Sequence, residues 1–301
     1  MQNTLKYDQD KRHRDRCVLF ALVLVVLLAV FAAASPAQDL EKLRSDLSSG
    51  NTELKRDALF QIRGVRSKTA SMLAMPALND PNEIVRAAAA SAVVYIGAAE
   101  AAASLVPLLE DRSGFVRRET AYALGEAGSW SATARLLSLL KSDKDQEVRA
   151  AAVVALGNIG DYQATADLIS ILRRDPGEDE EFLRRSAAHS IGQIAQFIYT
   201  GSTRYLTPHS FLPPKYKGIS PAQYPEKISG SENMRGAVPV LKKVLENRKE
   251  SEDTRREAAF ALGAMRDAFS VALLRSNLNS PDMYLAEICK EALLRIEKPD
   301  Q

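Results

Sequence analysis

The chain has 301 residues, 46% of them hydrophobic but only 6% aromatic, a balance that suits Ala- and Leu-rich helix packing and argues against a β fold built on large rings. Its 40 Lys and Arg stand against 38 Asp and Glu, a formal charge of +2; setting aside five basic residues (Lys6, Lys11, Arg12, Arg14, Arg16) and three acidic ones (Asp8, Asp10, Asp15) before Val18 leaves 35 against 35. A balanced body of this kind offers no electrostatic case for nucleic acid.

Residues 1–37 read as a targeting segment and not as part of the fold. A basic stretch ends at Arg16, Val18 to Ala34 is an uninterrupted apolar run of 17 residues, and Ser35-Pro36-Ala37-Gln38 follows. Small residues at Ser35 and Ala37 fit a signal peptidase site with cleavage before Gln38. A signal anchor that stays in place is the alternative, because the run reaches the lower limit of a membrane span. Either way the rest of the chain is expected outside, periplasmic or extracellular, with membrane contact only through residues 18–34 if they are uncleaved. Arg14, Asp15 and Arg16 before Cys17 exclude a lipobox.

The remainder alternates outer and inner helices. Leu40, Leu43 and Leu47 form the first apolar face, Ser48-Ser49-Gly50-Asn51 turns the chain, and Asn51 or Thr52 caps a helix carrying Leu54, Ala58, Ile62 and Val65. The second pair runs through Met72, Leu73, Met75 and Leu78, turns at Asp80-Pro81-Asn82 and enters the Val85 helix. Pro76, and Pro107 one repeat later, should bend their outer helices. The third and fourth pairs follow through Leu105, Leu108 and Leu109, then Leu136, Leu137 and Leu140. In the helix from Glu147, residues Val148, Ala152, Ala155, Leu156 and Ile159 share one face of a 3.6-residue helix, which stops at Gly160-Asp161. The fifth outer helix carries Leu168, Ile171 and Leu172. The acidic run Glu178 to Glu181 before Leu183 reads as a helix cap and not as a calcium loop.

From 197 to 234 the helical period is lost. That stretch holds Phe197, Tyr199, Tyr205, Phe211, Tyr216 and Tyr224 and five prolines. Loops of this length are functional or disordered, and its aromatics argue against plain disorder. Helices resume at Val238, Leu241 and Val244 and end near Ile296.

With Val148 as position zero, the same face recurs from Leu54, Val85, Val116, Leu183, Thr254 and Leu285, at steps of 31, 31, 32, 35, 71 and 31 residues. Such a period marks a stacked helical solenoid. The next residue is basic in six of the seven (Lys55, Arg86, Arg117, Arg149, Arg184, Arg255), and Asp80, Asp111 and Asp143 stand five residues before zero. This pattern of Asp, Val-Arg, a small apolar run and Leu-Gly resembles the HEAT repeats, in particular the short HEAT-like class named after phycobilisome lyases, over residues 40 to 196 and 235 to 297. The expected fold is all-α, a right-handed α-solenoid of about seven HEAT-like helix pairs. Residues 38–196 hold repeats one to five, 197–234 an insertion loop, and 235–301 repeats six and seven.

Opposite the buried face, at positions two, six and nine, an arginine recurs with a ring or imidazole four residues on: Arg56 with Phe60, Arg118 with Tyr122, Arg185 with His189, and Arg256 with Phe260. We read these as a concave binding stripe, because charge beside a ring face suits acidic, aromatic or peptide groups. Tyr205, Phe211, Tyr216 and Tyr224 of the insertion are candidate contacts. The arginine at position one is instead expected to pair with the Asp of the preceding turn in a structural ladder. Cys289 falls where other repeats carry Ala or Thr and reads as a small core residue. No cofactor, metal set, paired cysteine or phosphate loop is legible, and only His13, His189 and His209 occur. The resemblance allows enzymes of the phycobilisome lyase or hydroxylase kind, but the His-Glu pairs of the hydroxylases are missing. The expected function is therefore an exported, non-catalytic scaffold for a protein partner in the cell envelope.

Overall fold

A computed structural model of the chain describes residues 36–177, 180–201, 203 and 234–297, with the backbone alone at residues 36–38. The apolar run 18–34 and Tyr205, Phe211, Tyr216 and Tyr224 lie outside the described residues. The described chain is helical throughout, with no strand. It divides at Ala58 and Leu59 into two compact units.

The first unit contains α1 (Pro36–Leu47) and the opening of α2 (Thr52–Val65). Asn51 caps α2: its Oδ1 accepts the Glu53 N–H at 2.9 Å, answering one of the donors a helix start leaves open. Leu54, at position zero, is exposed here, unlike its later counterparts.

The second unit continues through α3 (Lys68–Leu73), α4 (Glu83–Ala92), α5 (Ala98–Leu105), α6 (Gly114–Ala127), α7 (Thr133–Ser142), α8 (Gln146–Ile159), α9 (Thr165–Leu172), α10 (Glu181–Thr200), α11 (Val238–Glu246), α12 (Glu252–Ala264), α13 (Val271–Ser276) and α14 (Met283–Glu297). Odd-numbered helices are the outer members of each pair and even-numbered helices the inner ones. The two prolines do more than bend their helices. Each splits off a 3₁₀ turn, Met75–Asn79 after α3 and Val106–Glu110 after α5, since Pro76 and Pro107 cannot donate to the preceding turn.

Inner helices form one continuous row, α4 on α6, α6 on α8, α8 on α10, α10 on α12 and α12 on α14. Val85, Val116, Val148, Leu183, Thr254 and Leu285 at position zero are all buried in it. The 71-residue step leaves the row unbroken, because α10 packs directly on α12. The helix itself runs to Thr200, so Phe197 to Thr200, expected to begin the insertion, form its last turn.

Contact between inner helices is closest at position nine. A Cβ on Gly125 would lie 2.7 Å from the Ala155 Cα, and one on Gly263 would lie 2.6 Å from the Ala292 Cα. Glycine there lets two backbones approach where no side chain fits. Position nine is thus a helix crossing and does not belong to an exposed stripe. The expectation failed because the helical wheel gives direction about one axis but says nothing of where the next axis lies.

Candidate functional site

Two chemically distinct rows run along the second unit, one at the turns and one on the first turns of the inner helices. The first is the expected ladder, wired differently from the expectation. Arg86 donates Nη1 to the carbonyls of Asp80 and Pro81 in its own preceding turn, at 2.8 and 3.1 Å. Its Nε and Nη2 meet both carboxylate oxygens of Asp111 in the following repeat, at 2.8 and 2.9 Å. Arg117 repeats this with the Asp111 carbonyl at 2.8 Å and the Asp143 carboxylate at 2.6 and 2.9 Å. Each Asp therefore serves two repeats, its carbonyl facing one and its carboxylate the other.

Burial pushes the Asp111 and Asp143 carboxyls up, but the guanidinium hydrogen bonds and charge, with the Ser113 and Asp145 backbone N–H, outweigh it and hold both below the usual carboxylate range. Hydrogen bonds to those carboxylates raise Arg86 and Arg117 in turn. The fifth repeat uses another device. Arg184, 1% exposed, gives Nη1 to the carbonyls of Ile171 and Arg174 at 3.0 and 2.7 Å and pairs with the buried Glu250 across the insertion.

The second row carries the predicted arginines. In unit one, Arg56 pairs with Glu53 at 2.6 Å. In unit two, Phe60 is 78% exposed. Arg118 stacks over Phe115 at 5.2 Å and bonds Glu147 at the start of the next inner helix. Arg185 repeats the arrangement, over Phe182 at 5.1 Å and on Asp253 at 3.0 Å. Arg256 meets Asp282 at 2.8 and 2.9 Å and lies over Tyr284 at 5.1 Å. Burial opposes the Arg118 charge, yet bonds to Glu147 and Glu119 raise its pKa; the Asp282 hydrogen bonds raise that of Arg256.

The ring partners are thus not those four residues on. Tyr122 and His189 are half-buried, and Phe260 is 5% exposed. Phe260 fills the space that Gly192 leaves open, stacked on His189 at 5.5 Å with Arg295 over it at 5.4 Å, and His189 meets Glu257 at 2.8 Å. In these three helices position six faces the neighbouring inner helix near the glycine crossing, which explains its burial there, whereas Phe60 at the same position of α2 stays open. The exposed rings that Arg118, Arg185 and Arg256 cover are Phe115, Phe182 and Tyr284, which stand 40, 46 and 64% exposed one residue before zero. Sequence reasoning missed them because it searched forward from the arginine. The signal was present at that place, which carries either an apolar residue (Ile84, Phe115, Phe182, Tyr284) or an acid (Glu53, Glu147, Asp253).

Among the described residues no three His, Cys, Asp or Glu side chains gather into a metal-holding group, and no helix is long and apolar enough to cross a membrane. Glu180 precedes α10 without capping it and pairs with Arg174 at 3.0 Å.

Paired helices in register, arginines wired between repeats and a face of rings define a stacked helical-repeat protein. The family model described as HEAT repeats matches residues 40–125 and 105–192, and that described as PBS lyase HEAT-like repeat matches 254–280. The chain belongs to the HEAT-repeat family. Among solved structures it is similar to an engineered protein at 23% identity, TM-score 0.50, over 86% of this chain and 68% of that one. It is also similar to YibA of Escherichia coli at 17% identity, TM-score 0.53, over 88% and 83%. The complex of CpcE and CpcF of phycocyanin lyase from Nostoc matches at 20% identity, TM-score 0.49, over 87% and 89%. Identities this low show the fold alone. A search of the curated proteins finds no match.

Proposed function

We propose that this chain is a non-catalytic binding scaffold, exported to the cell envelope, that holds a protein or peptide partner along the first turns of its inner helices. The observation that carries this reading is the twice-built grouping of ring, arginine and acid, Phe115–Arg118–Glu147 and Phe182–Arg185–Asp253, with the rings left open to solvent. Large exposed rings cost free energy in water and are a recurrent component of interface centres. Each arginine is already matched by an acid of the next repeat. The face therefore presents apolar edges framed by neutralised charge, which suits a polypeptide better than a polyanion.

The test is site-specific photocrosslinking in cells, with the reactive residue placed at Phe115, Phe182 or Tyr284 and, as a control, at the exposed outer-helix residue Arg135. Discrete adducts at the three ring positions and none at Arg135 are expected; equal yields at all four would overturn the surface. Adducts confined to residues Tyr205, Phe211, Tyr216 or Tyr224 would shift the contact to the insertion. Sequencing the N-terminus of the cellular protein tests export, with Gln38 expected after cleavage, or an intact end in a membrane fraction if residues 18–34 remain.

A further inference from the structure

The turn ladder has a gap. Arg149 starts the same wiring as Arg86 and Arg117, giving Nη1 to the Asp143 carbonyl at 2.9 Å. The other two then place Nε and Nη2 side-on against a carboxylate of the following repeat; among the described residues no carboxylate meets those atoms of Arg149. The reason lies in the fifth repeat. There the repeat's own arginine, Arg184, gives to the carbonyls of Ile171 and Arg174, and Arg174 stands where the shorter of the turn contacts in the other repeats comes from Asp111 and Asp143. An arginine in that place supplies the carbonyl but not the acid, and the adjacent Asp175 is exposed and makes no ion pair with Arg149.

A cavity of about 290 Å³ opens at this point, lined by Lys141, Asp143, Arg149, Asp167, Ser170 and Arg174 among others. Its other charges are matched. Lys141 meets Asp167 at 2.9 Å, Arg174 meets Glu180 at 3.0 Å, and the Asp143 carboxylate is held by Arg117. Arg149 is the surplus cation of this lining, its Nε and Nη2 meeting no carboxylate among the described residues, where the same atoms of Arg86 and Arg117 each hold one. A volume at the small end of ligand sites fits one side chain and not a cofactor.

We propose that the Arg149 cavity is a carboxylate slot, filled in trans by an Asp or Glu side chain of a partner peptide and bound bidentately, as Asp111 and Asp143 are bound in cis. The slot shares no residue with the ring-bearing face, so either can fail while the other stands. Glu178 is five residues before Leu183 in the sequence, the numerical place of the ladder aspartates, and lies outside the described residues; it is the competing occupant that the experiment must separate.

Titration of the full chain with N-acetyl-aspartate amide, followed by calorimetry or amide chemical shifts, is the direct test. Saturable binding is expected with a dissociation constant on the order of millimolar, the scale of one small charged contact. N-acetyl-asparagine amide should not bind. Arg149→Gln and Arg149→Lys should each weaken binding at least tenfold, the second because a lysine keeps the charge but loses the fork. Unchanged thermal melting of both variants would show that the loss is local; if Arg149→Gln melts early, Arg149→Lys alone decides. Equal binding by Arg149→Lys, or tighter binding of inorganic phosphate than of the aspartate probe, would overturn the bidentate carboxylate assignment. Binding seen only in Glu178→Gln would also overturn it, showing that the chain fills its own slot.

Discussion

At the residue scale the ladder decides most, because each of its aspartates is shared. Removing the Asp143 side chain strands Arg117 in a site where it is 12% exposed, so Asp143→Ala should cost about 3–5 kcal/mol. Chemical denaturation with helical circular dichroism checks this; a loss below about 1 kcal/mol would place the pair with weak surface bridges. The pH dependence has a definite sign. Asp111 and Asp143 lie below their unfolded value of 3.8, so their stabilisation is in full force above pH 3.8 and fades as pH falls through the folded values. Melting temperature measured downward from pH 5 should show a drop that is smaller in Asp111→Asn. Cys289 offers a further test: burial raises its thiol to about 12, so it should resist alkylation at pH 8 until the chain is unfolded. Its role was legible from register alone, since it stands where neighbours carry Ala. The ladder was only half legible. A separation of six residues between Asp80 and Arg86 suggested a local pair, whereas the charge contact reaches 25 residues ahead to Asp111 and depends on how repeats stack.

At the scale of elements, helix identity followed from spacing, and helix neighbours did not. All seven pairs could be read from apolar offsets, because burial in a repeat has the period of its helix. Position nine was assigned to an exposed stripe; the structure instead makes it the crossing point, and this also buried Phe260 behind Gly192. Two glycine substitutions separate the effects. Gly125→Ala drives a methyl against the Ala155 backbone and should destabilise by about 1–3 kcal/mol. Gly64→Ala, in α2 with nothing within 4 Å of the added carbon, should stabilise by about 0.5–1 kcal/mol through helix propensity. Denaturation midpoints moving the same way in both variants would refute the crossing-point account.

On the scale of the whole molecule, the long step between Leu183 and Thr254 was legible as an interruption of the sequence, but the direct packing of α10 on α12 across it was not. Both flanks of the insertion settle on the α8–α9 region. The Thr203 hydroxyl donates to the Asn158 carbonyl at 2.8 Å, and Met234 receives the Thr165 hydroxyl at 3.2 Å on its sulfur. Replacing residues 204–233 by a short Gly-Ser linker should therefore leave the melting temperature within about 2 °C of the parent, since loop-closure entropy varies slowly with length. A larger fall would mean that the excised segment packs onto the repeats.

The buried union of Arg184 with Glu250 ties α10 to the turn between α11 and α12, on the other side of that interruption. Cohesion across the interruption should therefore not need an unbroken chain there. A chain nicked by protease within 204–233 should elute from a sizing column as a single species and separate into two fragments only in denaturant, so that the two halves, expressed apart, can be mixed to rebuild the whole.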